Sequence, residues 1–260
     1  MTNALKKEIS SLATAKGRRK SGAFMAEGTK CVLDTIASFK PRYIVATEQW
    51  LEEHALSEDL RACIVIANRG EIGQISSMSL APDVIAVYEL PEAPEFKPAA
   101  LAGKLIVALD CIQDPGNLGT IMRTADWMGV ETVIASNDTV DCFNPKVVQA
   151  TMGAISRVKV IYGDLPAMID AFPKETAVYG TFLDGENLYT SKLSETGIIV
   201  MGNEGKGISD AVARTVTRRL LIPSFPTGRT TSESLNVATA TAITLAQVRS
   251  KSFIHGQSEV

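Results

Sequence analysis

Residues 104–123 read KLIVALDCIQDPGNLGTIMR, and this stretch decides the fold class. It opens with a short apolar segment, passes through a polar turn that contains Pro115 and Gly116, and continues into a sequence of helical character. Nearly all-apolar strands followed by helices are typical of α/β proteins, in which helices cover a mainly parallel sheet. The stretch therefore predicts an α/β fold with a buried, mainly parallel sheet.

The same alternation continues along the whole chain. Further apolar segments that predict strands occur at residues 23–27, 42–47, 62–68, 84–90, 131–136, 158–163, 176–182, 197–202 and 219–223. Helical patterns lie between them, for example at residues 29–39. The last helix, at residues 234–250, is rich in Ala and Thr and apolar on most faces, which suits close packing against a sheet or a second subunit.

A proline-rich segment divides the chain in two. Residues 89–104 contain Pro91, Pro94 and Pro98 and show little apolar periodicity, which is typical of an interdomain linker. We therefore predict a first domain at residues 1–95, a linker at residues 96–103 and a second domain at residues 104–260. The chain of 260 residues is long enough for two such domains.

Composition and targeting signals narrow the class of protein. Hydrophobic residues make up 45% of the chain and charged residues 21%, as in ordinary soluble globular proteins. No apolar run approaches the roughly 18 residues that a membrane span requires. The first twenty residues also lack the apolar core of a signal peptide. We expect a cytoplasmic protein that does not contact the membrane.

Histidine and cysteine are too sparse for several kinds of catalytic site. The chain has two histidines, His54 and His255, and a Ser-His-Asp or Cys-His arrangement is therefore hard to assemble. The four cysteines are scattered and show no C-x-x-C spacing; they are Cys31, Cys63, Cys111 and Cys142. We expect reduced thiols and no metal site.

Charge is distributed unevenly. Residues 1–30 carry seven basic and two acidic groups, a charge of +5, whereas the whole chain has a net charge of −3. The basic groups include a run formed by Lys16, Arg18, Arg19 and Lys20. A basic segment on an acidic body predicts contact with a polyanion such as RNA. Taken alone, the run is more simply explained as a solvated surface helix.

Three polar clusters each follow an apolar strand, where open α/β sheets place their ligand sites. In the first, at residues 110–123, Asn117 is expected to cap the following helix and Arg123 to lie in its second turn. Arg123 could equally be a surface or salt-bridged arginine. In the third, at residues 222–237, Ser234 or an earlier hydroxyl residue could serve simply as a helix cap.

The second cluster, residues 202–207, reads GNEGKG. Its glycines would let the backbone approach a ligand closely. It matches neither the phosphate-binding P-loop nor the G-x-G-x-x-G dinucleotide pattern. A glycine-rich turn with a capping Asn is the alternative interpretation.

Taken together and in this order, the clusters resemble a known family. The sequences N-L-G-T-I-M-R, M-G-N-E-G-K-G, and L-I-P followed by E-S-L-N-V-A-T-A are similar to the three motifs of the SpoU (TrmH-type) RNA ribose 2′-O-methyltransferases of the SPOUT superfamily. This resemblance covers residues 104–250. Residues 10–92, with F-M-A-E-G-T-K near their start, resemble the small RNA-binding domain, related to a ribosomal-protein fold, that precedes the catalytic domain in many members that modify rRNA.

The resemblance implies more than the sequence pattern alone predicts. It implies a deep trefoil knot in the parallel-sheet domain, S-adenosylmethionine as cofactor, RNA as substrate, with rRNA favoured over tRNA, and a homodimer whose active sites form at the subunit interface. By position in the motifs, it assigns the catalytic site to Asn117, Arg123, Glu204, Ser234 and Asn236. It assigns cofactor contacts made by the knot backbone to Gly202, Ile222 and Leu235, and requires no metal.

One departure from the family concerns the loop of the third motif. Between I-P and S-L-N this chain has a segment several residues longer than is common in the family, so the family's adenosine contacts are not carried over to residues 224–232.

Two roles remain open for Arg123 and two for Glu204. The family assigns Arg123 the role of the base. A guanidinium rarely gives up its proton, however, so Arg123 could instead clamp the adjacent phosphate and align the 2′-hydroxyl. Glu204 could orient Arg123 through an ion pair or face the positive end of the cofactor. Other functions also remain open: tRNA ribose methylation, a non-catalytic RNA-binding factor with the same domains, and an enzyme that uses a different nucleotide cofactor.

Overall fold

The structure is a computed structural model that describes residues 1–226, 230 and 232–255. Four residues of the loop in the third cluster, Thr227, Gly228, Arg229 and Thr231, lie outside the described residues. Among the described residues, no helix is both long and apolar enough to cross a lipid bilayer.

The described residues form ten strands and eleven α-helices. The strands are β1 (Ala23–Glu27), β2 (Pro41–Ala46), β3 (Ile64–Ile66), β4 (Val84–Glu89), β5 (Leu105–Leu109), β6 (Thr132–Ser136), β7 (Lys159–Gly163), β8 (Val178–Asn187), β9 (Gly197–Met201) and β10 (Arg218–Leu221). The helices are α1 (Asn3–Ser11), α2 (Ala15–Ser21), α3 (Thr29–Thr35), α4 (Glu48–Glu53), α5 (Arg69–Gly73), α6 (Pro98–Leu101), α7 (Pro115–Trp127), α8 (Pro145–Thr151), α9 (Leu165–Asp170), α10 (Asp210–Ala213) and α11 (Val237–His255). Every strand predicted from the sequence is present.

The chain divides into two compact units. The first contains Met1–Ala93 and Asp141–Arg157, and the second contains Pro94–Val140 and Val158–Val260. The first boundary lies between Ala93 and Pro94, in the proline-rich segment and just before the predicted linker at residues 96–103, within which α6 forms. Residues 141–157, which the sequence groups with the second domain, cluster with the first unit.

The first unit contains a four-stranded mixed sheet in the order β1-β4-β2-β3. Strand β4 pairs antiparallel with both β1 and β2, whereas β2 and β3 are parallel. The six other strands form a wholly parallel sheet. The prediction of a mainly parallel sheet is therefore confirmed, and the two antiparallel pairings of β4 are the exception. An apolar strand that is buried on both faces carries no signal for the direction of its neighbour, and the sequence therefore could not predict these antiparallel pairings.

Residues 141–157 complete the core of the first unit. The ring of Phe143 packs on that of Phe24 in β1, with 4.7 Å between the ring centroids. The thiol of Cys31 donates a weak hydrogen bond to the carbonyl of Val148 at 3.7 Å. The two segments are far apart in sequence, and only packing joins them.

Arg18 is a structural residue of the first unit, and its assignment to RNA binding is wrong. Its side chain is 2% exposed. The guanidinium donates to the carbonyl of Leu12 and forms an ion pair with Asp141 at 2.5 Å. A buried, paired guanidinium is not available to neutralise a phosphate. Lys16, Arg19 and Lys20, by contrast, are exposed.

The second unit contains the six-stranded parallel sheet, in the order β10-β8-β9-β5-β6-β7. The three polar clusters follow the carboxyl ends of β5, β9 and β10 respectively. Strands β5 and β9 are neighbours, and β8 lies between β9 and β10. Because all the strands are parallel, the three clusters emerge at the same edge of the sheet.

The cap of α7 differs from the prediction. The N-cap is Asp114, whose carboxylate accepts a hydrogen bond from the backbone N–H of Asn117 at 2.7 Å, and Pro115 occupies the first helical position. Proline is favoured there because its missing N–H would have no partner in the first turn. Asn117 therefore lies within the first turn, its side chain is free for other contacts, and Arg123 lies in the third turn.

Helix α11 packs against α7 in the second unit. Its buried residues include Thr241, Thr244, Leu245 and Val248. The hydroxyls of Thr241 and Thr244 donate to backbone carbonyls one turn earlier, so these polar groups are satisfied inside the packed face.

Candidate active site at the carboxyl edge of the parallel sheet

A chain of hydrogen bonds joins the three motifs. The amide nitrogen of Asn117 donates to Glu204 Oε1 at 2.6 Å. The amide nitrogen of Asn236 donates in turn to Asn117 Oδ1 at 2.8 Å. One residue from each motif thus takes part, although the three are widely separated in sequence. This arrangement supports the grouping of the three clusters into one site.

The network ends on a helix terminus. Asn236 Oδ1 accepts hydrogen bonds from the backbone N–H groups of Ala238 and Thr239, at 2.9 and 3.2 Å, so Asn236 caps α11. The polar groups therefore run in one direction, from the partly positive helix terminus through two amides to the carboxylate of Glu204. Hydrogen bonds linked in this way polarise one another.

The cap also decides between two interpretations of the third motif. Ser234 does not cap α11, because Asn236 does. Ser234 is exposed, and its hydroxyl forms no hydrogen bond with the described residues. Leu235 is 47% exposed.

The glycine-rich second motif forms a tight turn. Asn203 and Gly207 exchange backbone hydrogen bonds at 3.0 and 2.8 Å, and Asn203 Oδ1 accepts from the N–H groups of Gly205 and Lys206. A Cβ at Gly202 would lie 2.3 Å from the backbone carbon of Gly207, a contact that no side chain can make. Glycine at residue 202 is therefore required by the turn itself.

Asn203 also fixes the second motif against the first. Its amide nitrogen donates to the carbonyl of Cys111 at 2.8 Å. Cys111 has a φ of 58°, unusual for a residue other than glycine, and its N–H donates to Ser136 Oγ. Asp110, which is buried, accepts from the N–H of Ser209 at 2.7 Å. The two loops are thus held together by side chains just outside the residues that the motifs assign.

Sequence reasoning missed Asp110 and Asp114 and treated Asn203 only as a capping residue. The available signal was their position, because each is a short polar side chain within a few residues of a strand's carboxyl end. Such side chains can satisfy the backbone groups that a strand leaves unpaired where the sheet stops.

The thiol of Cys111 does not provide a nucleophile at this edge. Its hydrogen bond to Asp138, together with burial and the nearby negative charges, raises its pKa to about 11. The thiol therefore stays protonated near neutral pH, and only the thiolate is strongly nucleophilic. Within the part of the chain that the structure describes, no three His, Cys, Asp or Glu residues are grouped as metal ligands would be.

Arg123 is not part of the bonded network. It is exposed on α7, and it forms no hydrogen bond or ion pair with the described residues. Six residues along a helix correspond to a rotation of about 600°, which leaves Arg123 about 120° around the axis from Asn117 and about 9 Å further along it. The ion pair with Glu204 that the sequence left open does not form among the described residues, where Asn117 donates to Oε1 of that carboxylate.

The residues predicted to contact the cofactor lie at the same edge, whereas those predicted to contact RNA lie in the first unit. Gly202 and Ile222 are half-buried and directly follow the ends of β9 and β10. Leu235 directly precedes the asparagine that caps α11. Lys16, Arg19 and Lys20 belong to the first unit, on α2.

Comparison with known families agrees with the motifs. Residues 104–246 match the model of the SpoU rRNA methylase family, and residues 3–86 match that of the MRM3-like substrate binding domain. A Bacillus subtilis protein named 23S rRNA (guanosine(2553)-2′-O)-methyltransferase RlmP is 31% identical over 247 residues, which cover 94% of this chain and 95% of that protein.

Solved structures show the same fold. A TrmH-family protein from Porphyromonas gingivalis superposes with a TM-score of 0.85 at 37% identity, covering 96% of this chain and 99% of that one. An AdoMet-bound rRNA methyltransferase from Sinorhizobium meliloti superposes with a TM-score of 0.81 at 30% identity, covering 96% of both chains. The family match over more than half of the chain, with the three motifs joined by hydrogen bonds, shows that the protein belongs to the SpoU rRNA methylase family.

Proposed function

We propose that the protein transfers a methyl group from S-adenosylmethionine to a ribose 2′-hydroxyl of ribosomal RNA in the cytoplasm. The observation that carries this proposal is the hydrogen-bonded chain of Asn236, Asn117 and Glu204. It brings one polar residue of each family motif to the carboxyl edge of a parallel sheet. The cofactor supplies an electrophilic methyl group on a positively charged sulfur.

Ribosomal RNA is favoured as the substrate by two observations. The RlmP and RlmB relatives are named for methylation of 23S rRNA, and an RlmB from Neisseria meningitidis is 36% identical over 148 residues. The first unit matches a substrate binding domain and carries exposed basic groups at Lys16, Arg19 and Lys20. Exposed cations of this kind contact RNA phosphates without reading the sequence.

Glu204 is suited to binding a positively charged group. Its Oε1 is occupied by Asn117, and its Oε2 accepts no hydrogen bond from the described residues. We assign Oε2 to the positive end of the cofactor, which a carboxylate would bind by electrostatic attraction. The two asparagines hold the carboxylate in place, and that positioning avoids the cost of reorganising the site during the reaction.

The residues assigned to the cofactor provide a suitable surface. Gly202 keeps the turn after β9 free of a side chain, and the exposed Leu235 offers apolar contact close to the polar network. We assign the cofactor to backbone groups at Gly202, Ile222 and Leu235. The trefoil knot that the family resemblance implies is part of this proposal.

Arg123 completes the site through a homodimer in this proposal. Arg123 and Trp127 are four residues apart on α7 and therefore share one face of the helix. Trp127 is 85% exposed, so this face leaves a large apolar side chain uncovered. If a second copy packs there, Arg123 is carried to the subunit interface, where its planar guanidinium can hold an RNA phosphate and align the 2′-hydroxyl. The phosphate or a water then accepts the hydroxyl proton.

The experiment that tests this function uses the purified protein, total RNA and S-adenosylmethionine with a labelled methyl group. We expect the label in ribosomal RNA. If the label were confined to tRNA, the substrate would be tRNA and not ribosomal RNA. RNA binding without any label would indicate a non-catalytic binding factor. Glu204→Gln is the matched variant, because its amide oxygen still accepts from Asn117 while the negative charge is removed; we expect it to fold and to lose most of the activity.

A further inference from the structure

Two arginines on the edge strand β10, the half-buried Arg218 and the exposed Arg219, lie away from the polar network. Arg219 stacks on an aromatic ring, with 3.5 Å between its guanidinium carbon and the ring centroid of Phe182. Its Nη2 donates to Asp184 Oδ1 at 2.5 Å. The ring covers one face of the guanidinium, yet the Arg219 side chain remains 45% exposed. Nearly half of the side chain is therefore accessible to a ligand from solvent.

The segment that carries Phe182 departs from the regular strand. Arg219 pairs with Gly180 of β8 and the next residue, Leu220, pairs with Glu186, so residues 181–185 have no partners on β10. A Cβ at Gly185 would lie 2.6 Å from the backbone carbon of Leu220, so only glycine allows the segment to return to the sheet at this point. The segment is thus fixed at both ends, which holds Phe182 under the guanidinium.

The charges around Arg219 argue against a phosphate site. Asp184 neutralises Arg219, and Glu186 pairs with the neighbouring Arg218 at 2.6 Å. An arginine that is already paired with a carboxylate has little net attraction for a second anion. Its flat face remains able to stack, however, and guanidinium planes and aromatic rings are the surfaces on which proteins stack unpaired RNA bases.

The position of this stack fits a base that flanks the target nucleotide. Arg219, Gly180, Val200 and Ala108 lie in one row across the sheet, one residue before the ends of β9 and β5. Arg219 is three strand spacings from β5, or about 14 Å. A few nucleotides of an extended RNA strand span this distance. Leu183, 77% exposed beside the stack, adds an apolar contact.

We propose that Arg219, stacked on Phe182 and held by Asp184, forms a platform on which an unpaired base of the substrate RNA stacks during binding. The inference rests on the proposed function for the identity of the ligand as RNA. It concerns binding alone and gives neither residue a part in methyl transfer.

The test compares two probes and two matched variants. The probes are a short single-stranded adenosine oligonucleotide and an oligonucleotide of the same length without bases. Arg219→Lys keeps the charge and can keep the pair with Asp184, but it removes the planar face. Arg218→Lys is the control, because Arg218 has the same kind of acidic partner and its guanidinium carbon lies 5.6 Å from the Tyr179 ring centroid, against 3.5 Å for Arg219 and Phe182.

We expect the wild-type protein to bind the adenosine probe about tenfold more tightly than the baseless probe, a difference of about 1.4 kcal/mol. Arg219→Lys should lose most of this preference, and Arg218→Lys should keep it. The salt dependence of binding should be the same in all three proteins, because neither substitution removes a cation that binds phosphate. Equal preferences in all three proteins would overturn the proposal.

A change in sedimentation of the Arg219→Lys protein would also overturn it, because the stack would then belong to an interface between subunits. If Arg219→Lys does not fold, Leu183→Asp replaces it; this exposed position tolerates the change, and a negative charge beside the platform should weaken binding of the adenosine probe. Failure of the proposed function is recognised separately, as the absence of methyl transfer to any RNA by the wild-type protein.

Discussion

Asn117 shows how far single residues could be predicted. Its place in the site follows from the motif, and the structure joins it to Glu204 and Asn236. Its predicted role as a helix cap is wrong, because Asp114 takes that role. Several short polar residues compete for the same backbone N–H groups at a helix start, and spacing alone does not rank them. With Asp114 as the cap, both polar groups of the Asn117 side chain join the other two motifs.

Arg123 carries the sharpest prediction at the scale of one residue. Arg123→Ala should abolish methyl transfer and leave the affinity for S-adenosylmethionine nearly unchanged, because the side chain lies outside the bonded network. Arg123→Lys should restore little of the rate, since lysine lacks the planar fork. Single-turnover rate and cofactor affinity are measured on the same preparation. Arg214→Ala is the matched control, an exposed arginine of the same unit.

A purely structural role for Arg123 would give the opposite pattern. The melting temperature of Arg123→Ala would fall and its rate per folded molecule would persist. A folded Ala variant that retains more than about a tenth of the rate, a barrier change of less than about 1.4 kcal/mol, would remove Arg123 from the reaction.

At the scale of elements, the positions of the strands could be predicted from the sequence, but the elements that pack against them could not. Segments such as residues 23–27 and 197–202 form strands because they are almost wholly apolar and bounded by polar or glycine residues. The packing of α8 on the first unit had no such signal. It depends on contacts such as that between Phe143 and Phe24, which are remote in sequence.

The turn of the second motif gives a prediction with an internal control. Gly202→Ala should destabilise the turn and abolish cofactor binding, because its Cβ would overlap the backbone at Gly207. Gly205→Ala should change little, since the nearest atom to its Cβ would be Asn203 Oδ1 at 3.7 Å. Cofactor titration and thermal unfolding of both variants make the comparison. Equal effects of the two changes would contradict the geometry of this turn.

Helix α2 carries one buried structural arginine and three exposed cations. Arg18→Ala should lower the free energy of unfolding by about 3 kcal/mol, because it leaves Asp141 without its buried partner. Replacing Lys16, Arg19 and Lys20 together by alanine should leave stability nearly unchanged. It should also reduce the log-log salt slope of RNA binding by about 0.7 to 0.9 for each phosphate that is no longer neutralised. Urea unfolding and RNA titration at several salt concentrations test both halves, and an unchanged slope would mean that the three cations are only solvated.

At the scale of the whole molecule, the sequence predicted two domains but not how the chain is shared between them. The first compact unit takes residues 141–157 from within the catalytic half. Deleting residues 1–95 would therefore strip the packing partners from Phe143 and Val148. For this reason point substitutions on α2 test the RNA-binding role better than truncation does.

The proposed dimer gives the prediction for the whole assembly. Trp127→Glu should shift the protein from dimer to monomer in sedimentation velocity at micromolar concentration, because it places a charge on the uncovered face of α7. Methyl transfer should fall with the dimer fraction. Leu80→Glu is the control, a change at an equally exposed apolar residue of the first unit, 81% exposed. A wild-type protein that is monomeric and fully active would contradict the dimer.

The most direct test of the central claim is the chemical position of the transferred methyl group. Ribosomal RNA labelled by the protein is digested to nucleosides, and the sugar and base fractions are analysed separately. The account predicts that the label is in the ribose, at a linkage that resists alkaline cleavage because its 2′-oxygen is methylated. Label in the base, or label removed by alkali, would contradict it.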